Sequence, residues 1–184
     1  FCTIPKKKLY SNTKSIILMH PKQFCPKLYS IAQAVAARPQ KTVIMVEHAA
    51  YRLALELLQK VSEQSVPSFG VAGSNELADF NHHSNLRGEK FRVFVADSDH
   101  FSEGVSFLSV RHFMLASVPQ SYRLFVQQCG RAVRVGSHRH LPPEEQTVQV
   151  DLFVSVVARG KSQDVLALKR LCDEAASIAP ALQS

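Results

Sequence analysis

Missing from all 184 residues are the two short patterns by which a chain holds a nucleoside triphosphate unaided: a G-x-x-x-x-G-K-[ST] phosphate loop and a D-E-x-H-type acid pair for magnesium. The nearest glycine cluster, Gly70-Val71-Ala72-Gly73, is too short to wrap a phosphate. The chain on its own is therefore not expected to hydrolyse nucleotides. Cysteine is sparse and scattered: Cys2, Cys25, Cys129 and Cys172 contain no C-x-x-C pair, which argues against a zinc site and against a disulfide framework. A reducing, intracellular compartment, nuclear or cytoplasmic, is the expectation. No apolar run approaches the roughly 20 residues that span a bilayer, so no membrane partner is expected. The chain starts at Phe1 with Lys6, Lys7 and Lys8 close behind and lacks the apolar core of a secretion signal, which reads as a piece of a longer protein. Acidic residues are wholly absent between Gly104 and Pro143.

Basic residues fill that gap. Arg111, Arg123, Arg131, Arg134 and Arg139 fall there with His112, His138 and His140, whereas an ordinary solvated face mixes charges of both signs. The whole chain has a formal net charge of +7 and a pI near 9.4. An anionic partner rich in phosphate follows. At 46 % hydrophobic and 20 % charged residues the composition is that of a globular domain with one sizeable core.

Strand-like and helix-like segments alternate. Thr42 to Val46 is β-branched and apolar on both faces, the mark of a buried parallel strand. Runs at Ser68 to Ala72, Phe91 to Ala96, His112 to Ala116 and Val148 to Val157 read as further strands, as does Ser15 to His20. Lys27 to Ala37 places Leu28, Ile31, Ala32 and Val35 at helical spacing. Helices are also expected over Ala50 to Val61, Glu76 to His82, Ser121 to Val135 (capped by Ser121, closed by Gly136) and Ser162 to Ile178. This alternation predicts an α/β domain: a mainly parallel sheet with helices on both faces. Residues 1–14, basic and without periodicity, read as a linker or the end of a preceding domain, leaving 15–184 as the folded unit.

The most specific motif is Gln127-Gln128-Cys129-Gly130-Arg131-Ala132-Val133-Arg134, a Q-x-x-G-R-x-x-R pattern. On a continuous helix, positions 127, 130, 131 and 134 share one face and form a multi-donor surface suited to a triphosphate. Upstream, FRVFVADSDHFSEGVSF (Phe91 to Phe107) runs from a buried strand into an acid-containing loop and Gly104. Ligands of open parallel sheets sit beyond the carboxyl ends of the strands, so that loop and the arginine segment are expected at one crevice.

In order and spacing, Ser102-Glu103-Gly104-Val105-Ser106-Phe107, then His112 to Pro119, then Gln127 to His138 resemble motifs V and VI of the second RecA-like domain of superfamily 2 helicases. The Pro26-Lys27-Leu28 helix leading to Lys41–His48 resembles the approach to their motif IV, and the likeness covers roughly residues 25 to 157. Gly136-Ser137-His138 followed by Leu141 to Glu145 looks like the helicases of large DNA viruses and some protists, which include transcription-linked nucleoside triphosphatases. The resemblance implies a RecA-like three-layer fold. It makes Arg131 and Arg134 candidates for an arginine finger on ATP held by an upstream RecA-like domain, and Gln127 the residue that helps organise the nucleotide and the attacking water. Gly104, Ser106 and Gly130 fall near the nucleotide. His48, Ala49, Gly73, Ser74, Ser102 and Glu103 fall on loops that meet a DNA or RNA backbone. ATP and Mg²⁺ belong to the two-domain parent, with none intrinsic to this piece. Two positions depart from the pattern: Ser106 stands where many relatives have Asp or Asn at the ribose, and Glu103 where DEAD-box relatives often have a phosphate-contacting arginine.

The remaining candidates read as structural. No metal site is expected: the pairs His82 with His83 and His138 with His140 lack a matching acid or thiol. Cys129 reads as a packing thiol, and Asp97 and Asp99 as loop caps or hydrogen-bond partners of motif residues. Two other classes of function fit less well: a non-catalytic nucleic-acid-binding or scaffold module, and a mononucleotide-binding domain acting alone, which the missing phosphate loop disfavours.

Overall fold

A computed structural model describes residues 10–65, 67–101 and 104–178, with side chains from Ser15 onward. Five strands, β1 (Thr42–Val46), β2 (Val71–Ala72), β3 (Val93–Asp97), β4 (His112–Leu115) and β5 (Gln149–Leu152), form one sheet in the order β2-β3-β1-β4-β5. Every pairing is parallel. Around it lie α1 (Tyr10–Met19), α2 (Pro21–Phe24), α3 (Pro26–Ala36), α4 (His48–Glu63), α5 (Leu77–Phe80), α6 (Tyr122–Cys129) and α7 (Gln163–Ile178).

The strand period of two sorts the core into two layers. Val43, Met45, Phe94, Ala96, Phe113 and Leu115 point to one face and pack with Phe80, Phe101, Phe107 and Ala132. Ile44, Val46, Val93, Val95 and Met114 point to the other, against Ile31, Ala32 and Val35 of α3 and Ala54 and Leu58 of α4. Both faces of the central strands are covered, as the unbroken apolar runs of β1 and β3 require.

Several expected boundaries shift. Ser15 to His20 is not a strand; it continues α1 and ends it, with the His20 amide bonded to the Ile16 carbonyl. A six-residue apolar run without flanking turn residues reads equally as strand or helix, and only Ile17 of Ile16, Ile17 and Met19 is buried. The same helix starts at Tyr10, inside the stretch read as linker; residues 1–9 lie outside the described residues. Of Ser68 to Ala72 only Val71–Ala72 pairs, and of Val148 to Val157 only Gln149–Leu152, which matches the length of its one neighbour β4. Glu76 to His82 resolves into a 3₁₀ turn over Ser74–Glu76 followed by the short α5.

Beneath the sheet's amino edge, Lys41 is fully buried. Its Nζ donates to the carbonyls of Phe80 (2.7 Å) and Leu108 (3.0 Å) and lies 4.2 Å from the Phe80 ring centroid. Burial pulls its pKa from 10.5 down to about 8. Between those values the unfolded chain still holds the proton that the folded chain has lost, so raising pH through this window favours the folded state. The gain expected from Lys41 is about 3 kcal/mol. Cys129 acts in the opposite sense, since burial pushes its thiol from 9.0 up to about 11. The check is therefore a difference: urea unfolding of the wild type against Lys41→Met, expected to move toward the wild type as pH rises from 7.5 to 10.5. A constant difference would assign the buried ammonium an ordinary pKa.

Candidate nucleotide and nucleic-acid interface

The arginine motif does not lie on one helical face. Ser121 caps α6 as expected, its hydroxyl accepting from the Leu124 amide at 3.2 Å, but the helix stops at Cys129 with Gly130 as its cap. Beyond it the chain folds down so that Ala132 is wholly buried in the core. This descent turns the Arg131 carbonyl toward the Phe107 amide, which donates to it at 2.9 Å. A continued helix would have used that carbonyl internally. Gly136 does not close a helix but makes a turn with φ +80, a left-handed conformation that favours glycine.

What replaces the shared face is a clamp between two segments. Arg131 donates to the Val105 carbonyl at 3.3 Å, and the exposed Arg134 donates to Ser106 Oγ at 2.6 Å. Ser106 thus holds a guanidinium in this state. Gly104, exposed and at φ +76, opens the segment; a Cβ there would meet open space, so the residue is required by conformation and not by crowding. Below, the buried Phe101 and Phe107 pack with Phe94 and Phe80 at ring separations of 5.1–6.5 Å, anchoring both ends of the stretch that carries Gly104 and Ser106. Gln127 is exposed near the end of α6, and Gly130 is one residue before the clamp. Cys129, half-buried beneath them, is a protonated packing thiol at neutral pH.

Sequence reasoning overlooked Asn81. Its Nδ2 donates to the Ser106 carbonyl (2.8 Å) and its Oδ1 accepts from the Leu108 amide (2.9 Å), so one side chain fixes the Ser106–Leu108 backbone from the α5 side. A lone asparagine at the end of a short helix gives no sequence signal for this.

A second group lies at the carboxyl ends of the strands. His48 opens α4 directly after β1, with Ala49 beside it, both exposed. Gly73 and Ser74 follow β2, but their amides are already engaged, Gly73 with Glu76 Oε2 (2.8 Å) and Ser74 with the Tyr51 hydroxyl (2.8 Å). The Ser74 hydroxyl is engaged as well, donating to the Tyr51 hydroxyl at 3.1 Å, and would have to leave it to meet an anion. Ser102 and Glu103 lie outside the described residues. Asp97 ends β3 as a hydrogen-bond hub: Oδ2 takes His48 Nδ1 (2.6 Å) and His100 Nδ1 (3.0 Å), and Oδ1 takes the Asp99 amide (3.0 Å). Burial alone pushes that carboxyl up, yet the hydrogen bonds from His48, Asp99 and His100 outweigh it and hold the pKa below the usual range. The same bond to Asp97 raises that of His48. By contrast His138 is structural, its two ring nitrogens meeting the Val110 carbonyl (2.6 Å) and Ser137 Oγ (2.8 Å).

Known proteins share both the fold and part of the sequence. No known family model matches the chain. The fold superimposes on T4 UvsW with a TM-score of 0.54 at 20 % identity, covering 95 % of this chain and 36 % of that one. It superimposes on the Escherichia coli DEAD-box protein SrmB with a TM-score of 0.52 at 14 % identity, over 84 % and 78 %. The chain has the RecA-like α/β fold that UvsW and SrmB share. In sequence, 84 residues, 46 % of the chain, are 40 % identical to the early transcription factor large subunit homolog of African swine fever virus. A stretch of 85 residues is 34 % identical to nucleoside triphosphatase I of Melanoplus sanguinipes entomopoxvirus. These matches span only 8 % and 13 % of the viral proteins, so the chain resembles one part of much longer relatives. No helix among the described residues is long and apolar enough to cross a membrane.

Proposed function

We propose that this chain is the second RecA-like half of a nucleic-acid-dependent ATPase, a helicase or translocase, whose first half holds ATP and Mg²⁺. The observation that carries the reading is the clamp: Arg131 and Arg134 are tied to Val105 and Ser106, placing two guanidinium groups beside a glycine-opened loop on a rigid aromatic floor. Such a donor set fits the oxygens of a phosphate chain. It does not fit Mg²⁺, which takes carboxylate and water oxygens, and the stretch from Gly104 to Pro143 has no acid. Metal and phosphate cradle therefore fall to the upstream domain, and the arginines of this half complete the site when the two close. A finger of this kind stabilises charge spread over the transferring phosphoryl group.

Nucleic acid would run along the strand-end group, with His48, Ala49 and Ser74 meeting backbone phosphates. Contacts of that type bind DNA or RNA with little sequence preference and weaken steeply with salt. Phosphate release assayed on the complete parent protein, with and without DNA and RNA, tests the proposal. Stimulated hydrolysis by the parent and none by the 184-residue chain is the expected result; no hydrolysis by the intact parent would leave the scaffold reading in its place.

A further inference from the structure

The strand-end cluster of His48, Asp97 and His100 is a second, chemically distinct site, and we infer that it binds one Zn²⁺ ion. Its three ligand atoms already lie within 4.8 Å of one another. Parallel pairing does the positioning: Val46 stands opposite Asp97 across β1 and β3, so His48, two residues past the strand, arrives over the carboxylate. His100 arrives from the turn that follows β3, in which the Phe101 amide bonds back to the Asp97 carbonyl. The Asp97 side chain is only 3 % exposed and its Oδ1 is pinned by the Asp99 amide, leaving Oδ2 as the one oxygen both rings address. The rings themselves are 64 % and 68 % exposed and stack at 5.7 Å, which leaves the outer side open.

Two imidazoles and one carboxylate select a borderline metal over Mg²⁺ or Ca²⁺, which prefer all-oxygen sets. With zinc–ligand bonds of about 2.0–2.1 Å, neighbouring ligands of a tetrahedron stand about 3.3 Å apart, so the two ring–carboxylate contacts, at 2.6 and 3.0 Å, open by fractions of an ångström and give up the protons between rings and carboxylate. Three protein ligands leave a fourth position for water or an anionic oxygen. The other histidine group, where the rings of His83 and His140 meet at 5.0 Å, forms no cluster with a carboxylate among the described residues and serves as the internal control. The cluster shares His48 with the proposed nucleic-acid path, but metal binding does not depend on ATP hydrolysis, which reads out at the arginine clamp, so the failure of one is distinguishable from the failure of the other.

Calorimetric titration of the metal-free chain with Zn²⁺ in a non-chelating buffer, with Co²⁺ absorption as a second probe of four-coordination, tests it. One site per chain is expected, with His48→Ala and His100→Ala each weakening it by about 100-fold or more. His83→Ala/His140→Ala is expected to bind as the wild type does. Both cluster histidines are exposed, so their removal leaves the core alone, and imidazole nitrogen shifts of His48 and His100 in the unaltered chain give a reading without any substitution. Binding that survives His48→Ala, that follows His83 and His140 instead, or that leaves the His48 and His100 resonances unmoved overturns the inference.

Discussion

Arg134→Ala in the parent protein is expected to lower nucleic-acid-stimulated ATP turnover by about 10³- to 10⁵-fold while leaving nucleotide binding largely intact. The split follows from where the charge is needed: a guanidinium that meets the phosphoryl group chiefly as negative charge spreads in the transition state alters kcat far more than ground-state affinity. Arg134 is the cleaner of the two test positions, being exposed, with its guanidinium held only through Ser106 Oγ among its described side-chain bonds. Arg131→Ala is expected to match it in turnover, but it also removes a donor to the Val105 carbonyl and so loosens the loop. Arg134→Lys keeps the charge and loses the planar fork, and is expected to recover little. Ser106→Ala releases the fork without removing it, with an expected loss of about tenfold, the worth of one hydrogen bond to a charged group. Single-turnover hydrolysis alongside nucleotide titration separates the two effects. Wild-type turnover in both arginine variants would remove the catalytic role from this half.

How far these roles were legible in the chain varied with the range of the interaction responsible. Thr42–Val46 announced itself, because burial on both faces admits only an apolar, β-branched run, and all five residues are buried. The α3 stripe of Ile31, Ala32 and Val35 was equally plain, since helical spacing is local. The arginine motif was found and its geometry misjudged: Q-x-x-G-R-x-x-R scans as one amphipathic face, but Ala132 is drawn into the core and Gly130 ends the helix before either arginine. Packing won over periodicity there. Asn81 and the His48–Asp97–His100 cluster were beyond reach for a different reason. Asn81 and Ser106 are 25 residues apart and His48 and Asp97 are 49 apart, and only the return of the chain after α5 and the register of β1 against β3 bring these pairs together.

Gly70 offers a sharp test of the neighbouring register, that of β2 against β3. A Cβ built there would lie 1.8 Å from the Lys90 carbonyl oxygen, 2.8 Å from its carbon and 3.0 Å from Phe91 Cα, all backbone atoms. Neither strand can step aside cheaply. The Gly70 carbonyl accepts from the Arg92 and Val93 amides at 3.0 and 3.1 Å, starting the β2–β3 pairing. On the other side Asn85, 1 % exposed, grips the same stretch, its Oδ1 taking the Lys90 and Phe91 amides (2.8 and 2.9 Å) and its Nδ2 the Phe91 carbonyl (3.0 Å). Gly70→Ala is therefore expected to cost more than about 3 kcal/mol, beyond ordinary overpacking, because it forces two fixed backbones apart. That is a large share of a domain's usual 5–15 kcal/mol, roughly. Gly73→Ala is the contrast: its closest neighbour is the Tyr51 hydroxyl at 2.6 Å, the far end of a side chain, and a loss of about 1 kcal/mol is expected. Urea unfolding of the two variants measures the gap. Equal, small losses would mean that β2 drifts freely from β3, and with it the loop bearing Gly73 and Ser74 would lose its fixed place on the nucleic-acid path.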